Sequence, residues 1–186
     1  MSIRFKKIRK TCNSYKEIKK LYHTAFPADE RIPFWFLMTK SKKDYVQFYS
    51  VYEKDKWVGF VYFIYYQDIL YIYYLAVSEK ERGAGYGSKI LKKITTKHQN
   101  KRIILFIEPV DKRAKNYEER VNRKKFYEKN GFRDLNYLAV EKNVIYSVLG
   151  YGNSVSKKEY LSLMKNYFGK ILFTLYYKKE ADLKKE

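Results

Sequence analysis

Three of the chain's eight glycines lie within five residues, at Gly83, Gly85 and Gly87. The unbroken apolar run ILYIYYLAV (residues 69–77) comes shortly before them, and a stretch with helical spacing follows as far as Lys97. Glycine costs folding entropy and is favoured where the backbone takes unusual angles or approaches another group closely. The segment therefore predicts a strand, a loop of bare backbone and a helix. The loop either binds a ligand or only packs the helix against the sheet.

The other patterns along the 186 residues predict a mixed set of strands and helices. Strands are predicted at residues 3–9, 45–53, 56–67, 69–77, 102–108, 132–140, 144–149 and 171–177. Helices are predicted at residues 14–25, 33–40, from the glycine loop to 97, 120–130 and 156–167. Ser14 and Ser156 are each followed three residues later by Glu, which predicts two capping boxes. Gly131 suits the left-handed position after a helix. We expect one α+β domain over residues 1–178 and a flexible tail at 179–186.

The formal charge of +20 is the strongest feature of the composition. Such a charge attracts nucleic acids, anionic membranes and acidic small molecules. However, only nine of the 40 basic residues are arginine, and the lysines are scattered along the chain. This pattern favours a lysine-rich surface and does not favour nucleic acid as the main partner.

Other features bear on compartment and metal binding. The longest apolar runs have nine residues, whereas a membrane-spanning helix needs about 20. The basic N-terminus lacks the hydrophobic core of a secretory signal, and the lone Cys12 has no partner for an internal disulfide. The two histidines, His23 and His98, form no ligand pattern. We therefore expect a cytoplasmic protein without a membrane partner or a bound metal.

Three phosphate-binding patterns can be tested on the glycine loop. A Walker A loop requires lysine directly after its last glycine, but here Ser88 separates Gly87 from Lys89. A dinucleotide-binding loop has the spacing G-x-G-x-x-G directly after a strand, and five residues separate Val77 from Gly83 here. The third pattern, Arg82-x-x-Gly85-x-Gly87, offers successive backbone N–H groups at a helix start, where a pyrophosphate is stabilised by the helix dipole.

The third pattern, following a strand that ends in Leu-Ala-Val, resembles the acyl-CoA motif [RQ]-x-x-G-x-[GA] of the GNAT superfamily of N-acetyltransferases. Farther along, the segment FYEKNGF (residues 126–132) is similar to the family's F/L-Y-x-x-x-G-F. The element order over residues 3–150 also resembles that family. The resemblance implies a GNAT fold, with a central, mostly antiparallel mixed sheet flanked by helices and two strands splayed at the acyl-CoA site. It also implies acetyl-CoA-dependent N-acetyl transfer; the alternative is a GNAT-fold protein that binds acyl-CoA or RNA without catalysis.

The resemblance also implies roles for individual residues. The backbone of Leu75, Ala76 and Val77 would pair with the pantetheine arm. The pyrophosphate would lie on the loop residues Arg82, Gly83, Ala84, Gly85, Tyr86, Gly87 and Ser88. Tyr127 would protonate the departing thiolate, or it is one of 21 tyrosines that pack the fold. Arg82 is either a phosphate contact or a solvated charge.

The chain departs from the family pattern at two positions. Some relatives carry a glutamate base on the strand before the glycine loop, but residues 71–74 contain no acid. Glu108, at the end of the next strand, is the substitute candidate; alternatively it binds the adjacent loop or attracts a cationic acceptor. Relatives often carry Asn seven residues before the tyrosine, where this chain has Arg120, a candidate phosphate contact.

The resemblance leaves the acceptor open. Its site would be formed by residues 26–34, the strand near 64–67 and the C-terminal strands, and the acceptor would be an amine-bearing small molecule or protein. Asp29 and Glu30 either attract a cation or begin the short helix, and the latter is favoured. The protein would act as a monomer or a homodimer.

Overall fold

The four N-terminal strands lie side by side in the order in which they occur along the chain. The computed structural model describes residues 2–141 and 144–177, and it separates into two compact units. The first unit contains residues up to 65 and residues 71–99, and the second contains residues 66–70 and those from 100 onward. The predicted tail at 179–186 lies outside the described residues, and the prediction of one domain over 1–178 stays a prediction.

The first unit contains four strands and three helices. The strands are β1 (Ile3–Lys7), β2 (Val46–Glu53), β3 (Lys56–Tyr66) and β4 (Ile69–Val77), in the order β1-β2-β3-β4. The helices are α1 (Tyr15–Ala25), α2 (Phe34–Lys40) and α3 (Tyr86–Lys97). β2 pairs antiparallel with both β1 and β3.

The side chains of β3 alternate between the two faces of the sheet, so both faces carry part of the core of the first unit. Phe60 packs against Tyr22 of α1, and the Tyr62 hydroxyl donates to the Leu37 carbonyl of α2. Phe63 lies on the other face, with its ring 6.1 Å from that of His98 at the end of α3. Successive side chains of a strand point to opposite faces, so this run of aromatic residues buries both sides of the sheet.

The second unit contains the other three strands and three helices. Strand β5 (Arg102–Ile107) pairs antiparallel with β7 (Val144–Tyr151), which pairs antiparallel with β6 (Arg133–Glu141). The helices are α4 (Tyr117–Lys129), α5 (Lys157–Phe168) and α6 (Lys170–Tyr177). The seven strands form a mostly antiparallel sheet flanked by helices, which confirms the predicted α+β class. The predicted splay of two strands stays a prediction.

Two local predictions are wrong. Residues 171–177 belong to α6 rather than to a strand, because an aromatic cluster with α5 stabilises the helix: the Tyr177 hydroxyl contacts that of Tyr160 at 3.0 Å. Ser14 occupies the N-cap position of α1 as predicted, but the predicted capping box does not form, since the Ser14 hydroxyl lies 3.0 Å from both Ser50 Oγ and the Tyr52 hydroxyl on β2. The capping box at Ser156 is confirmed.

Candidate functional site

The glycine segment forms a turn with left-handed backbone between β4 and α3. The Ser78 N–H donates to the Val58 carbonyl at 2.9 Å, and a short 3-10 turn follows at Glu79–Glu81. The backbone then adopts φ of 79° at Gly83 and 74° at Gly85, which is the N-cap of α3. Residues with a Cβ rarely adopt such angles, so this geometry accounts for both glycines.

The turn faces open space rather than a packed neighbour. A Cβ added to Gly83 or Gly85 would meet no heavy atom within 4 Å. The first backbone hydrogen bond of α3 runs from the Lys89 N–H to the Gly85 carbonyl at 3.2 Å. The N–H groups of a first helical turn lack intrahelical acceptors and carry the positive end of the helix dipole. The exposed turn therefore fits an anionic group such as a pyrophosphate.

Tyr86 anchors this turn through its side chain. The buried Tyr86 hydroxyl donates to Glu53 Oε2 at 3.0 Å, and Lys89 Nζ lies 2.8 Å from Glu53 Oε1. The hydrogen bonds from Lys89 and Tyr86 lower the pKa of Glu53, and donation to this carboxylate raises the pKa of Tyr86. Only the main chain of Tyr86 is thus suited to bind a ligand. Glu53 was not predicted as a site residue, because its strand carries no sequence motif that indicates contact with the loop.

The charges around the turn favour an anion. Lys56 Nζ lies 2.6 Å from Glu81 Oε2, so the negative charge of Glu81 is compensated. Arg82 is exposed, and within the described part of the chain its guanidinium forms no ion pair with a carboxylate. A mobile cation next to exposed N–H donors is a common feature of phosphate sites.

The end of β4 is in direct main-chain contact with β3. Leu75 and Val77 are half-buried and Ala76 is buried. A Cβ at Gly59 would lie 2.1 Å from the Ala76 carbonyl oxygen. Gly59 was not predicted as a site residue, although an isolated glycine within a strand often marks a close backbone approach.

In the second unit, the structure brings Glu108 and Arg120 together. Arg120 lies 2.8 Å from Glu108 Oε1, Arg123 lies 2.8 Å from Oε2, and Asn116 Nδ2 lies 3.3 Å from both oxygens. Glu108 thus joins the end of β5 to the first two turns of α4. A substrate proton would have to compete with these donors for the carboxylate.

Arg120 makes several contacts of its own. Its Nε donates to Asn116 Oδ1 at 2.8 Å, and Nη1 donates to the Pro109 carbonyl at 3.0 Å. Together with the ion pair to Glu108, each guanidinium nitrogen has a protein partner. A phosphate contact at Arg120 therefore remains a prediction. It requires either a guanidinium N–H that these partners do not use or a rearrangement of the Arg120 side chain.

Tyr127 lies in the last turn of α4, where Gly131 fixes the chain that follows. Gly131 has φ of 85°, and the Phe132 N–H donates back to the Tyr127 carbonyl at 3.1 Å. This turn places the buried Phe132 ring 5.9 Å from that of Tyr127. Burial raises the pKa of Tyr127, partly offset by Arg123. No hydrogen bond to its hydroxyl occurs within residues 2–141 and 144–177.

The segment predicted to contribute to the acceptor site is tied to β4. The Tyr74 hydroxyl donates to the Glu30 carbonyl at 3.0 Å and accepts from the Ile32 N–H at 3.2 Å. Helix α2 begins at Phe34 and has no acid in its first turn, so the prediction that Asp29 and Glu30 begin this helix is wrong. Pro33 occupies the cap position instead.

Membrane-spanning helices and metal-binding clusters are both absent from the described ranges. No helix among residues 2–141 and 144–177 has the length and apolar character needed to span a bilayer. Within the same ranges, no group of three His, Cys, Asp or Glu side chains is arranged to hold a metal ion.

Solved structures of several acetyltransferases share this fold. A protein from Bacteroides thetaiotaomicron described as a GNAT-family acetyltransferase has 20% identity and a TM-score of 0.69, covering 91% of this chain and 98% of its own. An aminoglycoside 6'-N-acetyltransferase complexed with coenzyme A has 14% identity and a TM-score of 0.60, covering 84% and 100%. The ribosomal-protein-S18-alanine N-acetyltransferase of Escherichia coli has 13% identity and a TM-score of 0.58, covering 84% and 97%.

The sequence itself matches a family model. No curated protein sequence is significantly similar to the chain. Residues 44–134 match the model of the acetyltransferase (GNAT) domain. This stretch runs from β2 to the start of β6 and includes the glycine turn, Glu108 and Tyr127. The family model thus identifies an acetyltransferase (GNAT) domain over residues 44–134 of this chain, and the chain shares the fold of the solved GNAT-family acetyltransferase.

Proposed function

We propose that the protein is an N-acetyltransferase that moves the acetyl group of acetyl-CoA to a primary amine by direct attack in a ternary complex. The observation that carries the proposal is the exposed left-handed turn at Gly83 and Gly85, which follows β4 and a short 3-10 turn and opens helix α3. A structural neighbour solved with coenzyme A supports the choice of ligand.

The chain's own groups would bind the cosubstrate at several points. The main-chain N–H groups from Gly83 to Ser88, with the Arg82 guanidinium, would bind the pyrophosphate. The backbone of Leu75, Ala76 and Val77 would pair with the pantetheine arm. One N–H of this strand segment would donate to the thioester carbonyl and stabilise the negative charge that develops there. The net charge of +20 would favour association with an anionic ligand.

Tyr127 would act as the general acid. When bound, acetyl-CoA supplies an activated acyl group with a thiolate leaving group. The raised pKa of Tyr127 keeps its phenol protonated near neutral pH, so it has a proton to donate to the departing sulfur. Its hydroxyl has no protein acceptor within the described residues, which leaves it available for this contact.

The ammonium form of the acceptor must lose a proton before attack. Glu108 is our candidate base, acting directly or through a water molecule. Its contacts with Arg120 and Arg123 hold the carboxylate in place, and one of them would have to loosen when a proton is accepted.

The acceptor is proposed only as an amine on a small molecule or a protein. The neighbours named for an aminoglycoside and for a ribosomal-protein alanine show that one fold serves both kinds of acceptor. We further propose a cytoplasmic location and a monomer or homodimer, with no metal in the reaction.

Release of free thiol from acetyl-CoA tests the function. The purified chain is incubated with a panel of aminoglycosides, polyamines and peptides with free N-termini, and the acetylated product is identified by mass. We expect amine-dependent thiol release that Tyr127→Phe reduces. Binding of acetyl-CoA without thiol release for any amine would favour the alternative of a non-catalytic acyl-CoA-binding protein. Absence of acetyl-CoA binding would refute the proposal.

A further inference from the structure

A cavity lies in the first unit, at the end of β1 and between helices α1 and α2. Its volume is about 920 Å³, within the range of small-molecule sites. Lys7, which pairs with Tyr49 of β2, lines this cavity at one end of the β1–β2 pair. Ile3, which pairs with Glu53, lies at the opposite end of the same pair. Glu53 holds the first turn of α3, so the cavity is about 13 Å from that end along the strands.

The floor of the cavity is apolar. Ile8 and Phe34 are buried, and Tyr15 and Met38 are half-buried. Tyr15 packs its ring edge against Phe34 at 5.8 Å. Such a floor can bury the uncharged part of a ligand.

The rim of the cavity is strongly basic. Five exposed cations line it: Lys7, Arg9, Lys10, Lys19 and Lys42. Among the described residues none of these five forms an ion pair, and no Asp or Glu lines the cavity. Several uncompensated cations around one concavity attract a multiply charged anion more strongly than a single carboxylate.

His23 lines the cavity on the side of α1, and desolvation together with the positive charges around it keeps its side chain uncharged. Tyr15, Lys19 and His23 are spaced four residues apart and share one face of α1. Desolvation, Arg31 and Lys19 lower the pKa of His23, so its imidazole is neutral at pH 7. Because Nδ1 faces the Arg31 guanidinium, the ring proton lies on Nε2, and His23 adds no negative charge to the rim.

Trp35 adds a planar surface to this basic rim. It lines the cavity in the first turn of α2, and 69% of the residue is exposed. Exposed aromatic rings in a positively charged groove are typical platforms for nucleobases. A planar ring surface, an apolar floor and a multiply charged rim together match the chemistry of a nucleotide.

We propose that this cavity is a nucleotide-binding site separate from the glycine turn, in which the base stacks on Trp35 and the phosphates lie among the surrounding lysine and arginine side chains. The nucleotide is either free or part of a single nucleic-acid strand, since both present the same base and phosphate groups. Apart from Phe34, which ends the segment expected to form the acceptor site, the proposal uses residues of the first unit that take no part in the proposed acetyl transfer.

Tryptophan fluorescence tests the site. The Trp57→Phe variant leaves Trp35 as the only tryptophan of the chain. The substitution removes no hydrogen bond among the described residues, because the buried indole N–H of Trp57 has no acceptor there. The titrations contain no acetyl-CoA, because coenzyme A itself carries an adenine nucleotide that would compete with ATP for the cavity. The probes are ATP, adenosine, tripolyphosphate and a single-stranded oligouridylate.

We expect ATP or the oligonucleotide to quench the fluorescence of Trp35. Adenosine and tripolyphosphate should each bind at least about tenfold more weakly. Preference for ATP identifies a free nucleotide, and binding of the oligonucleotide alone identifies a nucleic-acid strand. Equal affinity for tripolyphosphate and ATP would overturn base recognition, and no binding of any probe would overturn the site. Trp35 lines the cavity and is not part of the glycine turn, so its quenching is distinguishable from failure of the proposed enzyme.

Matched variants place the ligand in the cavity. Calorimetry should show that Trp35→Ala weakens nucleotide binding about tenfold, whereas Trp35→Phe retains most of it. Lys19→Glu should weaken binding. It should also reduce the slope of log affinity against log salt concentration by about one, the value for one lost phosphate contact. Lys16→Glu makes the same charge change on α1 outside the cavity lining and should leave affinity within about twofold. Equal effects of Lys16→Glu and Lys19→Glu would assign binding to net charge and overturn the proposal.

Discussion

Gly59 on β3 lies directly against the carbonyl of Ala76 on β4, where a Cβ would approach the oxygen to 2.1 Å and the Val77 Cα to 3.1 Å. Both neighbouring atoms belong to the main chain, so no side-chain rotation can relieve the contact. The two strands therefore meet backbone to backbone at the residues proposed to bind pantetheine.

We expect Gly59→Ala to destabilise the fold by about 1–3 kcal/mol, the usual cost of overpacking, and to weaken acetyl-CoA binding by displacing β4. Urea denaturation and calorimetry measure the two effects. Gly150→Ala on β7 is the matched control, because its Cβ would meet only side-chain atoms of Leu135, at 2.8 Å or more. An equal loss of stability in both variants would show that the main-chain contact is not the cause.

Gly85→Ala tests the glycine turn. Its left-handed angle of 74° predicts a loss of about 1 kcal/mol in stability for any residue with a Cβ. Gly152→Ala is the control at another position of positive φ, since Gly152 has φ of 83° and its Cβ would meet only the Lys101 carbonyl oxygen, at 3.6 Å. We expect similar losses of stability but weaker acetyl-CoA binding only for Gly85→Ala. Unchanged affinity in that variant would remove the turn from the proposed site.

The sequence predicted the strands well where patterning and turn chemistry agreed. The bounds of β4 were predicted correctly because nine apolar residues are followed by a polar turn. The helix at residues 170–177 was missed because ILFTLYY has the composition of a strand. Its helical state depends on packing against α5, including the ring contact of Phe168 with Tyr177 at 6.3 Å, which no local pattern encodes.

For the candidate site, the sequence identified segments better than contacts. The spacing of Gly83 and Gly85 predicted exposed backbone at a helix start, and the structure shows it. The ion pairs of Glu108 with Arg120 and Arg123 were not predicted, because they join residues 12 and 15 positions apart in sequence across a loop. Long-range partners of this kind depend on how the loop closes, which single-sequence periodicity does not report.

Tyr127→Phe tests the general acid. Removing the hydroxyl leaves the ring contacts with Phe126 and Phe132 in place, so stability should change little. If Tyr127 protonates the thiolate, kcat should fall about 10²–10⁴-fold, with little change in the KM for acetyl-CoA. Tyr117→Phe, at the other end of α4, controls for loss of a tyrosine hydroxyl from the helix. An unchanged kcat would reduce Tyr127 to a packing residue.

Glu108→Gln tests the candidate base. The amide keeps the size of the side chain but cannot accept the ammonium proton, so we expect kcat to fall by about 10²-fold. Arg123→Gln removes one guanidinium while leaving the carboxylate, and it should retain more activity than Glu108→Gln. Steady-state kinetics and denaturation are measured on both variants. A loss of stability without a loss of kcat in Glu108→Gln would show that Glu108 only joins β5 to α4.

The ion pair between Arg102 on β5 and Glu159 on α5 makes a pH-dependent contribution to stability. The hydrogen bond from Arg102, and then those from Ser156, hold the pKa of Glu159 at about 2, below its ordinary value of 4.5. A lowered folded-state pKa stabilises the fold above the unfolded value, and this contribution is lost as pH falls toward about 2.

Glu159→Gln should therefore lower Tm at pH 7 by a small amount, because the side chain is 37% exposed, and it should reduce the decline of Tm between about pH 5 and pH 2. Glutamine can still accept from the Ser156 N–H in the capping box, so the variant isolates the charge. Glu17→Gln, an exposed acid without an ion pair in the described part of the chain, is the control. Parallel pH profiles for the wild type and Glu159→Gln would contradict the assignment.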